Sequence, residues 1–408
     1  MRPCGVNVHI SRMEIGLNTL IDSDSQKFHI HSTAIVMAAG CANYRVMNRR
    51  SLLKTGFGAA SVGLMGCSPQ APAATPRHEM PMESDPHVRT LMQWPVRVDV
   101  YGARDLVAVQ DAIVRLANAI SEFEPVALMA APGARGFEPN RLSAQVEHWD
   151  IPTDDLWCRD SGPTFVRGSD GGLAVAHLEF NGWGDKQPHA NDARVAPRVA
   201  ERLGLELLPT GLIGEQGGVE HDGHGTLLAH ASCWVNDNRN PGLSEAEIGE
   251  RLMQALGGQT MIWAPGIIGA DITDYHIDAL ARFVGPGHVL VQMDELVNPD
   301  DPWSIAAHET LAILQRSTDA AGRPLQISRL PEAVDIRGRG DDFVASYVNY
   351  YVCNGAVILA DFGDRRADDN ARGVLAELYP GRRIVQLNVD AIGASGGGIH
   401  CATQQQPA

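Results

Sequence analysis

From about residue 79 onward, apolar strand-like runs alternate with amphipathic helical segments, which restricts the chain to an α/β architecture. Strands are expected at Pro125–Ala131, Leu173–Phe180, Thr226–Val235, His288–Met293, Ala356–Phe362 and Arg383–Val389. Helices are expected over Asp105–Phe123, Asp192–Leu203, Ser244–Leu256, Trp303–Ala321 and Asp368–Leu378, with Ser244 and Glu247 forming a capping box. No sequence repeat is evident, but the spacing of the helices, roughly fifty to seventy residues, admits five similar units around a centre.

The chain has 408 residues, 44% hydrophobic and 20% charged, enough to bury a sizeable core. Its formal net charge of -16 argues against a nucleic-acid partner and fits a small cationic one, besides favouring solubility.

Residues 47–67, MNRRSLLKTGFGAASVGLMGC, read as an export signal. Arg49 and Arg50 before Ser51, Leu52, Leu53 and Lys54 make a twin-arginine pattern. The weakly apolar stretch that follows is too short and interrupted to span a bilayer. It ends in Leu-Met-Gly-Cys, which resembles a lipobox with Cys67 as the acylated residue. Residues 1–46 are then expected to be an extension from a mis-assigned upstream start, and residues 68–78 a Pro/Ala-rich tether to a catalytic domain over 79–408. The expected location is periplasmic or membrane-anchored, by the twin-arginine route. Without residues 1–67, which hold seven Lys/Arg and three Asp/Glu, the charge becomes −20. Cys158, Cys233, Cys353 and Cys401 remain, at spacings that suggest no dense disulfide framework.

Five motifs carry candidate chemistry. GGGIHCATQQQP, residues 396–407, presents Cys401 on a glycine-rich turn, as a nucleophile requires, although a lone cysteine is as often a buried hydrophobe. WCRDSGPTF, residues 157–165, holds Asp160 at a Ser-Gly-Pro turn. EQGGVEHDGHGTLL, residues 215–228, places Glu215 before two glycines; His221 and His224 flank its turn and read as surface residues. NDNRNP, residues 236–241, reads as a turn that stops one element before Ser244 caps the next. TDYHIDALARF, residues 273–283, sets His276 and Asp278 two apart, on one face if extended.

Carboxylates, one histidine and one thiol together suit one reaction. A guanidinium is planar, permanently cationic and rich in donors, and two carboxylates can hold it bidentately. Held in line with a thiolate, its central carbon can be attacked, while a histidine protonates departing ammonia and then activates water.

These motifs resemble the agmatine deiminases and the related Porphyromonas-type peptidyl-arginine deiminases. The likeness runs from MPMESDPHVRTLMQWP, residues 80–95, through FNGWGDK, residues 180–186, and ASYVNYYVCNGAVI, residues 345–358, to TQQQP. It implies a pentein-type five-bladed α/β-propeller of ββαβ units around a central site. It implies Cys401 as nucleophile, His276 as general acid/base, Asp160 and Asp278 as guanidinium ligands, and Glu215 as support for the histidine and the guanidinium site. Trp183 of FNGWGDK joins the substrate-binding set. The implied reaction converts agmatine to N-carbamoylputrescine and ammonia through a thiouronium on Cys401, with no metal or cofactor. Its one partner is a small guanidine; a homo-oligomer is compatible, and membrane contact comes only through the lipid anchor.

Departures from the family pattern bear on specificity. Glu83 is followed by Ser84 and Asp85 rather than an aromatic residue, Gln216 interrupts the usual Glu-Gly-Gly, and Tyr275 replaces a glycine before the histidine. Tyr101-Gly102-Ala103-Arg104 would bring Arg104 toward a terminal ammonium. Peptidyl or free arginine is thus an alternative substrate, giving citrulline, and a cysteine peptidase or amidinotransferase is another reading. A non-catalytic surface lipoprotein is a further one, with His276, Asp278, His400 and Cys401 as zinc ligands.

Overall fold

The structure, a computed structural model, describes residues 78–338, 340 and 343–408. The expected export signal, Cys67 and residues 68–77 of the tether lie outside the described residues. His78, assigned to the tether, instead begins a two-residue strand paired with Gly168.

Five sheets share one local plan: two antiparallel strands, a helix, and a third strand parallel to the second. The first unit comprises Thr164–Gly168, Leu173–His177, helix Val195–Leu203 and Glu206–Pro209. The second comprises Val219–His221, Thr226–His230, helix Glu245–Leu256 and Thr260–Ala264. Ala281–Gly285, His288–Gln292, helix Pro302–Leu314 and Gln326–Leu330 form the third. Tyr351–Cys353, Ala356–Ala360, helix Arg365–Leu378 and Arg383–Leu387 form the fourth. The fifth joins both ends of the described chain: Thr403–Pro407 pairs with His87–Gln93, followed by helix Val98–Ile120, Val126–Ala130 and an extra strand, Val146–Asp150.

The central strands are buried end to end, which is why Val-Ala-Leu-Met-Ala and Ala-Val-Ile-Leu-Ala are continuously apolar. Helix Val98–Ile120 buries Leu106, Val109, Ile113, Leu116, Ala117 and Ile120, the stripe expected at a period of 3.6. Val109, Ile113, Leu116, Ala117 and Ile120 pack with Leu128 and Ile358 in the largest core cluster. Each fully buried Leu or Ile contributes about 2 kcal/mol.

Several boundaries differ from expectation. The first helix begins at Val98 and crosses a non-helical Gly102, φ 73°. The expected strand Thr226–Val235 stops at His230 and becomes a short helix, Ala231–Trp234. Tertiary contacts impose that change: His230 Nδ1 lies 2.9 Å from the Tyr275 carbonyl, and Ser232 Oγ donates to the Asp274 carbonyl at 2.6 Å. The helix expected to reach Ala321 ends at Leu314, because Asp319 accepts from the backbone N–H groups of Ala321 and Arg323 and fixes a turn there. Among the described residues the four cysteines are all free and buried.

The C-terminal strand Thr403–Pro407 is polar in sequence yet buried. Gln404 Nε2 donates to the Pro163 carbonyl and Gln216, and Gln405 Oε1 accepts from Arg159 at 2.8 Å. Deleting residues 403–408 is therefore expected to lower the chemical-denaturation midpoint substantially and to abolish activity. An unchanged midpoint would show that this strand contributes nothing to stability.

Candidate active site

The site is built from the segments that lead into the first strand of each unit. Asp160 lies on the short helix Cys158–Ser161 before Thr164, and Glu215 precedes the turn Gln216–Gly218 before Val219. His276 and Asp278 sit at the turn Ile277–Ala279 before Ala281. Asn349 precedes Tyr351, and Cys401 precedes Thr403. The His276–Asp278 segment is a 3₁₀ turn, not the extended run that would put both on one face.

A cavity of about 620 Å³ is lined by Asp160, Trp183, His276, Asp278, Asn349 and Cys401 at its reacting end, and by Tyr101, Asp155 and Gln187 elsewhere. Cys401 Sγ lies 3.6 Å from Asp278 Oδ2 and accepts from Asn349 Nδ2 at 3.2 Å. Asn349 Oδ1 accepts from the backbone N–H groups of His400 and Cys401 at 3.0 and 3.3 Å, so one amide fixes the nucleophile turn. Gly398 makes this possible, since a Cβ there would stand 2.3 Å from Asn349 Oδ1.

Asp160 Oδ2 accepts from Trp183 Nε1 at 3.0 Å, and Trp183 itself adopts a left-handed φ of 57° to reach it. His276 lies between two carboxylates: Nδ1 is 3.6 Å from Asp160 Oδ1, and Nε2 is 3.3 Å from Glu215 Oε2. Asp160 Oδ1 and Asp278 Oδ1 are buried and have no hydrogen-bond partner. Two such oxygens on one cavity form a receptor for a cation with several N–H donors.

The electrostatics follow from burial and these neighbours. Burial raises the Asp160 carboxyl to about 6; His276 opposes the rise, while the charges of Asp278 and Glu215 reinforce it. Burial works against a charged His276, but Asp160 and Glu215 raise it to about 9. Burial would raise Glu215 and Asp278, yet His276 and Arg239 hold the first below its usual range, and His400 holds the second. Burial, then the charges of Asp278 and Asp160, hold the Cys401 thiol well above its usual range. At neutral pH the free site thus has ionised carboxylates, an imidazolium and a neutral thiol.

The structure brings Cys401, His276, Asp278, Asp160 and Trp183 onto one cavity and sets Glu215 behind the imidazole, off the cavity wall. Arg104 is exposed and does not line the cavity. Tyr275 is packed between His230 and Trp303, and Ser84 and Gln216 line a separate cavity, so among these divergent positions only Tyr101 meets this one. His224 is exposed as expected, but His221 is only half-exposed: desolvation of its ring pushes it down to about 4, and Nδ1 has no partner. NDNRNP is more than a turn, because Arg239 is buried and pairs with Glu215 at 2.9 Å and Asp274 at 2.9 Å. The roles of Asn349, Arg239 and Glu83 escaped the sequence reading; each stood inside a motif with no neighbouring signal to mark its part in the site. Among the described residues no group of three or more His, Cys, Asp or Glu side chains is arranged to hold a metal ion, so the zinc reading gains no support.

Gly217 sets a sharp test. A Cβ there would stand 2.7 Å from Asp160 Oδ1 and 2.8 Å from His276 Nδ1. Gly217→Ala is expected to lower kcat/KM at least about a hundredfold by displacing both groups, with a stability loss of about 1–3 kcal/mol. Near wild-type kinetics would show that the acid pair tolerates displacement.

The Porphyromonas-type peptidyl-arginine deiminase family model matches residues 79–407. An agmatine deiminase of Pseudomonas aeruginosa is 34% identical over 365 residues, covering 83% of this chain and 98% of that one. The solved agmatine deiminase of Enterococcus faecalis superposes with a TM-score of 0.74 at 29% identity, covering 81% of this chain and 96% of that one. The mixed α/β architecture is accordingly of the pentein type. A thiol, an imidazolium and two free carboxylate oxygens on one buried cavity, within a chain matched over nearly all its described length, place this protein in the agmatine deiminase and Porphyromonas-type peptidyl-arginine deiminase family.

Proposed function

We propose that this chain hydrolyses the guanidinium group of agmatine to N-carbamoylputrescine and ammonia, as a hydrolase acting on a linear amidine. The observation that carries this reading is the pair of buried, unpartnered oxygens, Asp160 Oδ1 and Asp278 Oδ1, beside the Cys401 thiol. A guanidinium held there satisfies both oxygens and cancels the charges that hold the thiol protonated. The thiol proton passes to solvent, and the thiolate adds to the guanidinium carbon, forming a C–S bond. His276 gives its proton to one nitrogen, and the C–N bond breaks to release ammonia. The neutral imidazole takes a proton from water, whose oxygen adds to the thiouronium carbon. The C–S bond breaks, and the ureido product leaves with Cys401 regenerated. Glu215 keeps His276 protonated and oriented, and Trp183 steadies Asp160 from the cavity wall.

The rest of the cavity supports agmatine over arginine. Asp155 and Asp271 contribute carboxylates to it, which suit a terminal ammonium and oppose the α-carboxylate of free arginine. We read the five ββαβ units as the blades of an α/β-propeller, with the site where their leading segments converge. Export through Arg49 and Arg50, acylation of Cys67 and assembly into a homo-oligomer are part of the same proposal. Sequence pattern alone supports export and acylation, and the homo-oligomer rests only on how common such assemblies are; loss of labelled-lipid incorporation in Cys67→Ser would test the anchor.

Residues 68–408 are to be offered agmatine, arginine and arginine peptides in parallel, with ammonia and ureido product measured. Agmatine turnover with none detectable in Cys401→Ala is expected; ammonia release retained by Cys401→Ala would refute the mechanism. Asp160→Asn is expected to raise KM at least about tenfold, from loss of a charge-assisted pair. For kcat/KM a bell is expected. Activity rises as Asp160 ionises near about 6 and falls as His276 loses its proton near about 9. A profile without the upper limb would remove His276 as the acid.

A further inference from the structure

His400 precedes the nucleophile but points away from it. Its Nδ1 lies 2.7 Å from Asp278 Oδ2, and its Nε2 lies 2.8 Å from Glu83 Oε2. All three side chains are buried. With a carboxylate oxygen on each ring nitrogen, the imidazole bridges Asp278 and Glu83. Glu83 is anchored in turn by Arg282 at 2.9 Å, Arg159 at 3.2 Å and the Val352 backbone N–H at 2.8 Å. The other charged groups facing this chain are Glu220, 2.7 Å from Arg282 Nε, and His276, whose charge also acts on Asp278.

The two oxygens of Asp278 are therefore treated differently. Oδ2 is occupied by His400 and approached by the Cys401 thiol, while Oδ1 has no partner. Asp160, whose charge acts on the same cluster, would favour protonation of Asp278 if nothing opposed it. His400 supplies that opposition through its contact with Oδ2, and Glu83 fixes the ring from its other nitrogen.

We propose that Glu83 and His400 are positioning residues: as a buried, hydrogen-bonded carboxylate–imidazole pair they keep Asp278 ionised and its Oδ1 presented to the substrate. This rests on the guanidine reading of the cavity. The far end of the pair meets a second cavity, of about 400 Å³, lined by Glu83, His400, Arg159, Glu220, His221 and Arg282. Substitutions of Glu83 thus act on Asp278 from outside the substrate cavity.

The test combines kinetics and binding. Glu83→Gln and His400→Gln are expected to raise KM for agmatine about tenfold and to move the acid limb of kcat/KM up by about one pH unit. In a Cys401→Ala background, Glu83→Gln should weaken agmatine binding in calorimetry by a similar factor. It should have no further effect once Asp278→Asn is also present, because it acts through that carboxylate. Glu83→Asp, which keeps the charge, should recover part of the affinity. A lowered melting temperature with KM and acid limb unchanged would reduce the pair to packing and overturn the proposal. So would an equal loss of binding with and without Asp278→Asn. If His400→Gln does not fold, Glu83→Gln and Glu83→Asp decide the question. Failure of the wild type to turn over any guanidine would instead sink the substrate reading, whereas an active wild type with unaffected variants sinks only the positioning role.

Discussion

Desolvation of charge organises this molecule. Glu83, Asp160, Glu215 and Asp278 are all buried, and an unpaired buried ion costs several kcal/mol. Each is therefore met by a buried cation or imidazole: Arg159, Arg282 and His400 around Glu83, Arg239 and His276 around Glu215, His276 beside Asp160, and His400 against Asp278. The balance is deliberately incomplete at two atoms, Asp160 Oδ1 and Asp278 Oδ1. An incoming cation completes it, so the energy of substrate binding is the desolvation energy that the fold leaves unmatched.

Such a cluster needs many chain segments to converge on one spot, and the repeated unit supplies them. Every unit begins with a strand, and the residues just before that strand carry Asp160, Glu215, the His276–Asp278 turn, Asn349 or Cys401. The strands are rigid because their neighbours are buried on both faces, so the segments leading into them are held to hydrogen-bond precision. Local strain adds to this. Asp274 and Tyr275 both have left-handed φ, 62° and 70°, just before His276. They stay there because Arg239, Lys186 and Asn238 hold the Asp274 carboxylate and His230 meets the Tyr275 carbonyl.

Most central strands and the long helices were legible in the sequence, because burial on both faces, or on one helical stripe, forces a regular apolar pattern; His87–Gln93, with polar residues along it, was not. The first strands of the units were not. Val219–His221 and Tyr351–Cys353 are three residues long, and Thr403–Pro407 is polar, so neither length nor pattern marks them. Cys401, His276, Asp278, Asp160, Glu215 and Trp183 could be named because their residue types suit one chemistry within recognisable motifs. Arg239 could not, since Asn-Arg-Asn-Pro is an adequate turn by itself and its guanidinium meets Glu215 only after folding.

The sequence alone determined the α/β class, the reactive residue types and the reaction that such a set can perform, because hydrophobic period and side-chain chemistry are local properties. Only the tertiary structure decided that Glu215 stands behind His276 rather than on the cavity, that Arg104 does not line it, and that His400 faces Asp278 and Glu83. Those outcomes depend on which charges are buried together, and that is settled by contacts between segments distant in the chain.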